Sequence, residues 1–84
     1  MTYNLQIKRS AQKHLRRLPS DVMRSVVQHI LQLQGDPRPP GVKKLAGGLG
    51  WRIRVGDWRV IYEIDDEDRV VTLVAVKSRQ SAYR

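Results

Sequence analysis

The chain has 84 residues, no cysteine, and sixteen lysines and arginines against eight acids, for a formal net charge of +8. That length holds one domain, residues 1–84, with a thin core; the missing cysteine excludes a disulfide framework, a thiolate metal site and a cysteine nucleophile. No apolar stretch approaches the roughly 20 residues that span a bilayer, and MTYNLQIKRS lacks the apolar core of a signal peptide, so the expectation is a soluble, cytoplasmic protein without a membrane partner. Five of the eight acids crowd into Glu63, Asp65, Asp66, Glu67 and Asp68. The remaining surface is therefore strongly positive and suits a polyanion, most simply a nucleic acid.

In chain order, Tyr3, Leu5 and Ile7 alternate with Asn4 and Gln6, the pattern of a short half-buried strand. Ser10 is placed to cap a first helix, with Ala11, Leu15 and Leu18 on one face and Lys13, Arg16 and Arg17 on the other. Pro19 stops it. Ser20 is placed to cap a second helix, with Asp21 favourable in its first turn. Its apolar stripe is Val22, Val26, Ile30 and Leu33, flanked by Met23, Val27 and Leu31, and Gly35 ends it. So short a connection predicts an antiparallel helical hairpin. Asp36 to Gly50 is rich in proline and glycine and predicts a long loop, with Leu45 as its anchor. Strands follow at Trp51–Val55, Trp58–Ile64 and Val70–Lys77. The predicted order β-α-α-β-β-β is an α+β fold, two helices on one face of a mostly antiparallel four-stranded sheet.

Gly56-Asp57 reads as a two-residue hairpin turn, glycine supplying a positive φ. That register sets Val55 opposite Trp58, Arg54 opposite Arg59, Ile53 opposite Val60, Arg52 opposite Ile61 and Trp51 opposite Tyr62. One face is then apolar and ready for the helices. The other gathers Arg52, Arg54 and Arg59 with Ile61 and Glu63. Like charges directly opposite are unfavourable in a sheet. Two guanidiniums about 6 Å apart repel by about 0.7 kcal/mol in water and about 3 kcal/mol at an effective dielectric near 20. Such a cluster suits an anion, and the planar guanidinium fork suits phosphate. Glu63 and the acidic turn are the internal groups that could instead neutralise it.

The segment after Lys77 adds Arg79, Tyr83 and Arg84, an aromatic ring among charges, as a single-stranded base requires. Lys43 and Lys44 extend the basic surface. His14 and His29 lie on separate helices and read as rim residues rather than catalysts. Gly47-Gly48-Leu49-Gly50 lacks the lysine and following helix of a phosphate loop. Asp65 to Asp68 reads as a solvated turn. No metal ligand set is expected.

The stretch WRIRVGDWRVIYEIDDEDRVVTLVAVKSRQSAYR resembles the C-terminal half of RelE-like toxins of the RelE/ParE superfamily, the toxin halves of type II toxin–antitoxin pairs, and KRSAQKHLRRLP resembles their first helix. The resemblance implies a ribosome-dependent endoribonuclease that cuts mRNA by attack of a ribose 2′-hydroxyl on the adjacent phosphate, without metal or cofactor, and a cognate RelB-like antitoxin. By position it implies that Arg52 and Arg54 contact RNA and assist the hydroxyl, and that Arg59 stabilises the reacting phosphate. It likewise assigns Arg79 to the leaving oxygen and Tyr83 to stacking on a base. Arg54, Arg59, Arg79 and Tyr83 are thus the expected catalytic set, and Arg52, Lys43, Lys44, Lys77 and Arg84 the expected RNA contacts. Where many relatives carry Gly-His-Arg or Gly-Lys-Arg, this chain has Lys77-Ser78-Arg79, which removes the obvious acid–base histidine. Two other functions fit the same features: a ParE-like gyrase inhibitor that acts by protein binding, and an RNA-binding module without chemistry.

Overall fold

A computed structural model describes residues 2–78. The elements are β1 (Asn4–Ile7), α1 (Arg9–Arg16), α2 (Ser20–Leu33), β2 (Lys43–Lys44), β3 (Trp51–Val55), β4 (Trp58–Asp65) and β5 (Val70–Ser78), with a short 3₁₀ turn at Ala46–Gly48. The sheet order is β1-β5-β4-β3-β2. β1 runs parallel to β5, and the other pairings are antiparallel. The α+β class is as expected, but the sheet has five strands rather than four. The extra strand is Lys43–Lys44, inside the segment expected to be loop; it pairs with Arg52 and Trp51. Two lysines have little strand propensity. The pairing is continued by Leu45 N–H, which donates to Gly50 O at 2.8 Å, and Lys44 Nζ lies 5.8 Å from the centre of the Trp51 ring.

The hairpin has the predicted register at every position, from Val55 opposite Trp58 to Trp51 opposite Tyr62. Gly56 has φ 60°, the left-handed conformation that glycine tolerates. At Gly50 the need for glycine is steric as well: φ is 98°, and a Cβ would lie 2.5 Å from the Tyr62 carbonyl oxygen.

α1 lies over β5, and α2 approaches β3. Ala11, Leu18, Val26, Ile30 and Leu33 from the helical segment meet Ile53, Val55, Val60, Tyr62, Val71, Leu73 and Val76 from the sheet in one core. Both expected serine caps are absent. Lys8 precedes α1 and Pro19 precedes α2 in extended conformation, and neither makes a side-chain cap. The Ser10 hydroxyl donates instead to Val74 O at 3.0 Å, tying α1 to β5. Tertiary pairing has taken the hydroxyl that a cap would use. Leu45 is only half-buried. The loop is held by Val42, which packs on the core, and by buried Pro37, whose carbonyl accepts a 2.7 Å hydrogen bond from the Tyr62 hydroxyl. Met23, Val27 and Leu31, expected beside the helical core, are exposed.

Candidate nucleic-acid interface

The strand pairings build a cationic row. Arg54 on β3 is opposite Arg59 on β4, and Arg59 is opposite Lys77 on β5. Cross-strand partners share a face of the sheet, and neighbouring strands lie about 4.8 Å apart. Three positive side chains therefore stand side by side across three adjacent strands, on the face away from the helices. A second line begins at the sheet edge, where Lys43 is opposite Arg52 and Arg52 opposite Ile61. Arg54, Lys77 and Lys43 are exposed; Arg59 and Arg52 are half-buried.

Lys77 reaches this face through an irregularity that the sequence does not announce. Val71 and Leu73 face the core, so simple alternation would turn Lys77 inward as well. The pairing shifts between Ile61 and Tyr62: Tyr62 is opposite Leu73, Ile61 is opposite Ala75, and Val74 is an extra residue. This bulge reverses the later alternation. Val76 turns into the core and Lys77 turns to the arginines. Lys8 N–H donates to Leu73 O at 2.9 Å and Ser10 Oγ to Val74 O, so the start of α1 pins the bulge.

Lys44 falls on the other face, with Trp51. Arg79, Tyr83 and Arg84 lie outside the described residues. Of the expected contacts, the structure thus brings together Lys43, Arg52, Arg54, Arg59 and Lys77.

Several acids of the cluster have partners elsewhere. Glu63 pairs with Lys8 at 3.5 Å. Asp65 Oδ1 accepts the Glu67 and Asp68 N–H groups, both at 3.0 Å, and so shapes its own turn. Asp66 is held by Arg38 through two bonds of 3.1 and 2.8 Å, and by the Tyr3 hydroxyl at 2.7 Å. The Arg38 guanidinium also sits 4.8 Å above the Trp51 ring. Hydrogen bonding from Arg38, then from Tyr3, pushes the Asp66 carboxyl down to about 2. The same bond raises Tyr3. Burial pushes the Tyr62 hydroxyl up to about 12. Sequence reasoning missed the Arg38–Asp66 clasp. Its residues lie far apart in the chain, and no local pattern signals it.

Beside the row, a cleft of about 510 Å³ opens between α2, the proline-rich loop and the edge of β3, with Lys43, Arg52 and Arg54 among its lining residues. Both histidines are half-buried. His14 Nδ1 accepts from the Val76 N–H at 3.1 Å. His29 Nδ1 lies 2.8 Å from the Ser25 carbonyl oxygen. A carbonyl only accepts, so His29 Nδ1 carries the hydrogen. Among the described residues, no helix is long and apolar enough to cross a membrane.

Comparison with known proteins agrees with this fold. The sequence profile of the ParE toxin of the type II toxin–antitoxin system parDE matches residues 5–83. Toxin RelG of Mycobacterium tuberculosis is 31% identical, the alignment covering 100% of this chain and 99% of RelG. RelE1 of Methanocaldococcus jannaschii is 28% identical, covering 100% of this chain and 98% of that protein. Among solved structures, a chain of the RelE–RelB complex from Pyrococcus horikoshii OT3 superposes with a TM-score of 0.83 at 33% identity, over 94% of this chain and 97% of that one. A chain of the RelBE2 toxin–antitoxin complex from M. tuberculosis also gives 0.83, at 27% identity, over 94% of this chain and 100% of that one. The chain belongs to the RelE/ParE superfamily of type II toxins. Within it, this is a RelE-like toxin.

Proposed function

We propose that the chain inhibits translation as a ribosome-dependent mRNA endoribonuclease. The observation that carries this reading is the Arg54–Arg59–Lys77 row, with Arg52 and Lys43 beside it. A row of cations on a sheet face suits the closely spaced phosphates of an RNA strand. In the proposed reaction the 2′-oxygen bonds to the adjacent phosphorus and the bond to the 5′-oxygen breaks. One product ends in a 2′,3′-cyclic phosphate, the other begins with a 5′-hydroxyl. The 2′-hydroxyl loses a proton and the leaving oxygen gains one.

Arginine does not deprotonate in proteins, so Arg54 and Arg59 are unsuited to take the proton. Their role is to hold the phosphate and to stabilise the charge that grows on it in the transition state. Arg59 sits between two other cations and is assigned to the reacting phosphate; Arg52, Arg54 and Lys43 hold the strand. Lys77 adds charge beside Arg59. Arg79 and Tyr83 keep the roles that family resemblance implies, at the leaving oxygen and on a base. The remaining proton transfers fall to water or ribosomal RNA. The cognate partner is a RelB-like antitoxin, as in the solved RelE–RelB complexes.

The match to the ParE profile keeps gyrase inhibition as the second reading. Programmed ribosomes and a gyrase supercoiling assay separate the two. The nuclease reading expects new mRNA 5′ ends with wild type, about a hundredfold fewer with Arg59→Ala, and unchanged supercoiling. Supercoiling blocked without new ends would overturn it.

A further inference from the structure

The cleft beside β3 has a composition that the phosphate row does not explain. Lys43, Arg52 and Arg54 stand on its strand side. Leu33, Ile53 and the rings of Pro39 and Pro40 give it apolar walls. The other polar side chains of its lining are His29 and Gln32, three residues apart on α2. Its volume of about 510 Å³ is in the range of small-molecule pockets.

The donor and acceptor pattern is defined. In the imidazole tautomer whose Nδ1 hydrogen goes to the Ser25 carbonyl, His29 presents Nε2 as an acceptor. Gln32 presents both a carbonyl and an amide. Flat apolar walls, one fixed acceptor and one ambivalent amide suit the edge and faces of a nucleobase. Arg54 lines this cleft and is also opposite Arg59 in the row. β2 pairs only with Trp51 and Arg52, so the rest of β3 is a sheet edge where the cleft and the row meet. A nucleotide lying across that edge can set its phosphate on Arg54 and its base in the cleft, with the neighbouring phosphate at Arg59.

We infer that the α2–β3 cleft is a base-reading subsite for the RNA nucleotide next to the cleaved bond, with His29 and Gln32 determining which base is preferred. This rests on the nuclease reading and adds specificity to it. A fixed acceptor at His29 admits only bases with a donor at that point of the edge, an exocyclic amine in A and C or a ring N–H in G and U, and so sorts the bases by the order of donors and acceptors along their edges.

The test is a titration of the full chain with each of the four nucleoside 5′-monophosphates and with inorganic phosphate, followed by NMR at the His29 ring and the Gln32 side-chain amide. Nucleotides are expected to bind about tenfold tighter than inorganic phosphate, a difference of about 1.4 kcal/mol, with one base favoured and both side chains shifted. Gln32→Leu, at an exposed position, should level the four nucleotides; His29→Leu should do the same. Arg54→Ala should weaken nucleotides and inorganic phosphate alike. Equal binding of nucleotides and inorganic phosphate, with shifts confined to Lys43 and β3, overturns the inference. So does a cleft that only an antitoxin peptide fills. Cleavage on programmed ribosomes, run in parallel, separates the two proposals. Cut mRNA with equal binding of all probes defeats the subsite alone. Nucleotides seated at His29 and Gln32 without cut mRNA defeat the nuclease reading and leave the nucleotide site standing.

Discussion

Arg38 and Arg54 are the same residue in opposite settings. Arg38 meets the Asp66 carboxylate through two hydrogen bonds and lies over Trp51. Arg54 stands opposite another arginine, and Lys77 follows on the next strand. The first arrangement joins the proline-rich loop to the β4–β5 turn and serves the fold. The second gathers like charge, which a sheet disfavours. Arginine content alone therefore says little about function here. What each guanidinium meets separates the arginine that serves the fold from the one proposed to hold an anion.

The largest expected difference between the two settings is in activity. Arg59→Ala should lower mRNA cleavage on programmed ribosomes by about a hundredfold or more, the usual effect of removing one group that stabilises transition-state charge. Arg38→Ala should leave cleavage by correctly folded protein near wild type. Equal losses from the two substitutions would erase the distinction. Next comes the loop anchor. Tyr62→Phe leaves the Pro37 carbonyl without its 2.7 Å partner in the core, and should cost about 1–3 kcal/mol in urea unfolding. The alkaline limb sharpens this. Tyr62 is raised from 10.0 to about 12 in the folded state, so its neutral form is favoured by folding. That contribution is complete below pH 10 and is lost as pH rises from 10 to about 12. Wild type should lose stability in that window more steeply than Tyr62→Phe.

Arg54→Ala should reduce the slope of log affinity against log salt for single-stranded RNA by about 0.7, one phosphate contact fewer. An unchanged slope would place Arg54 outside the contact surface. The smallest effect belongs to the clasp. Asp66 is lowered from 3.8 to about 2 by Arg38 and Tyr3, so its stabilising contribution is present above pH 4 and lost as pH falls toward 2. Thermal melts of wild type and Asp66→Asn should differ at neutral pH and converge in that acid window.

The hairpin was legible because Gly56-Asp57 fixes a two-residue turn and strict alternation then assigns every side chain to a face. Arg52, Arg54 and Arg59 followed from that alone. The placement of Lys77 did not. Its orientation depends on the extra residue Val74, and the bulge is set by backbone and hydroxyl bonds from Lys8 and Ser10 in a distant part of the chain. β2 was illegible for a similar reason. Lys43 and Lys44 carry no strand signal, and their pairing depends on Gly50 and Trp51. Turn chemistry and periodicity are local and readable, whereas contacts between distant segments decided the bulge, the clasp and the cleft.

Placing a carboxylate inside the row probes its character most directly. Lys77→Glu sets an acid opposite Arg59 on the neighbouring strand. Urea unfolding at low salt should show a gain of about 0.5 kcal/mol from the new cross-strand pair, while the same protein loses RNA binding and mRNA cleavage. Lower stability together with intact cleavage would contradict the view that these three side chains form one anion-binding surface held together against their own repulsion.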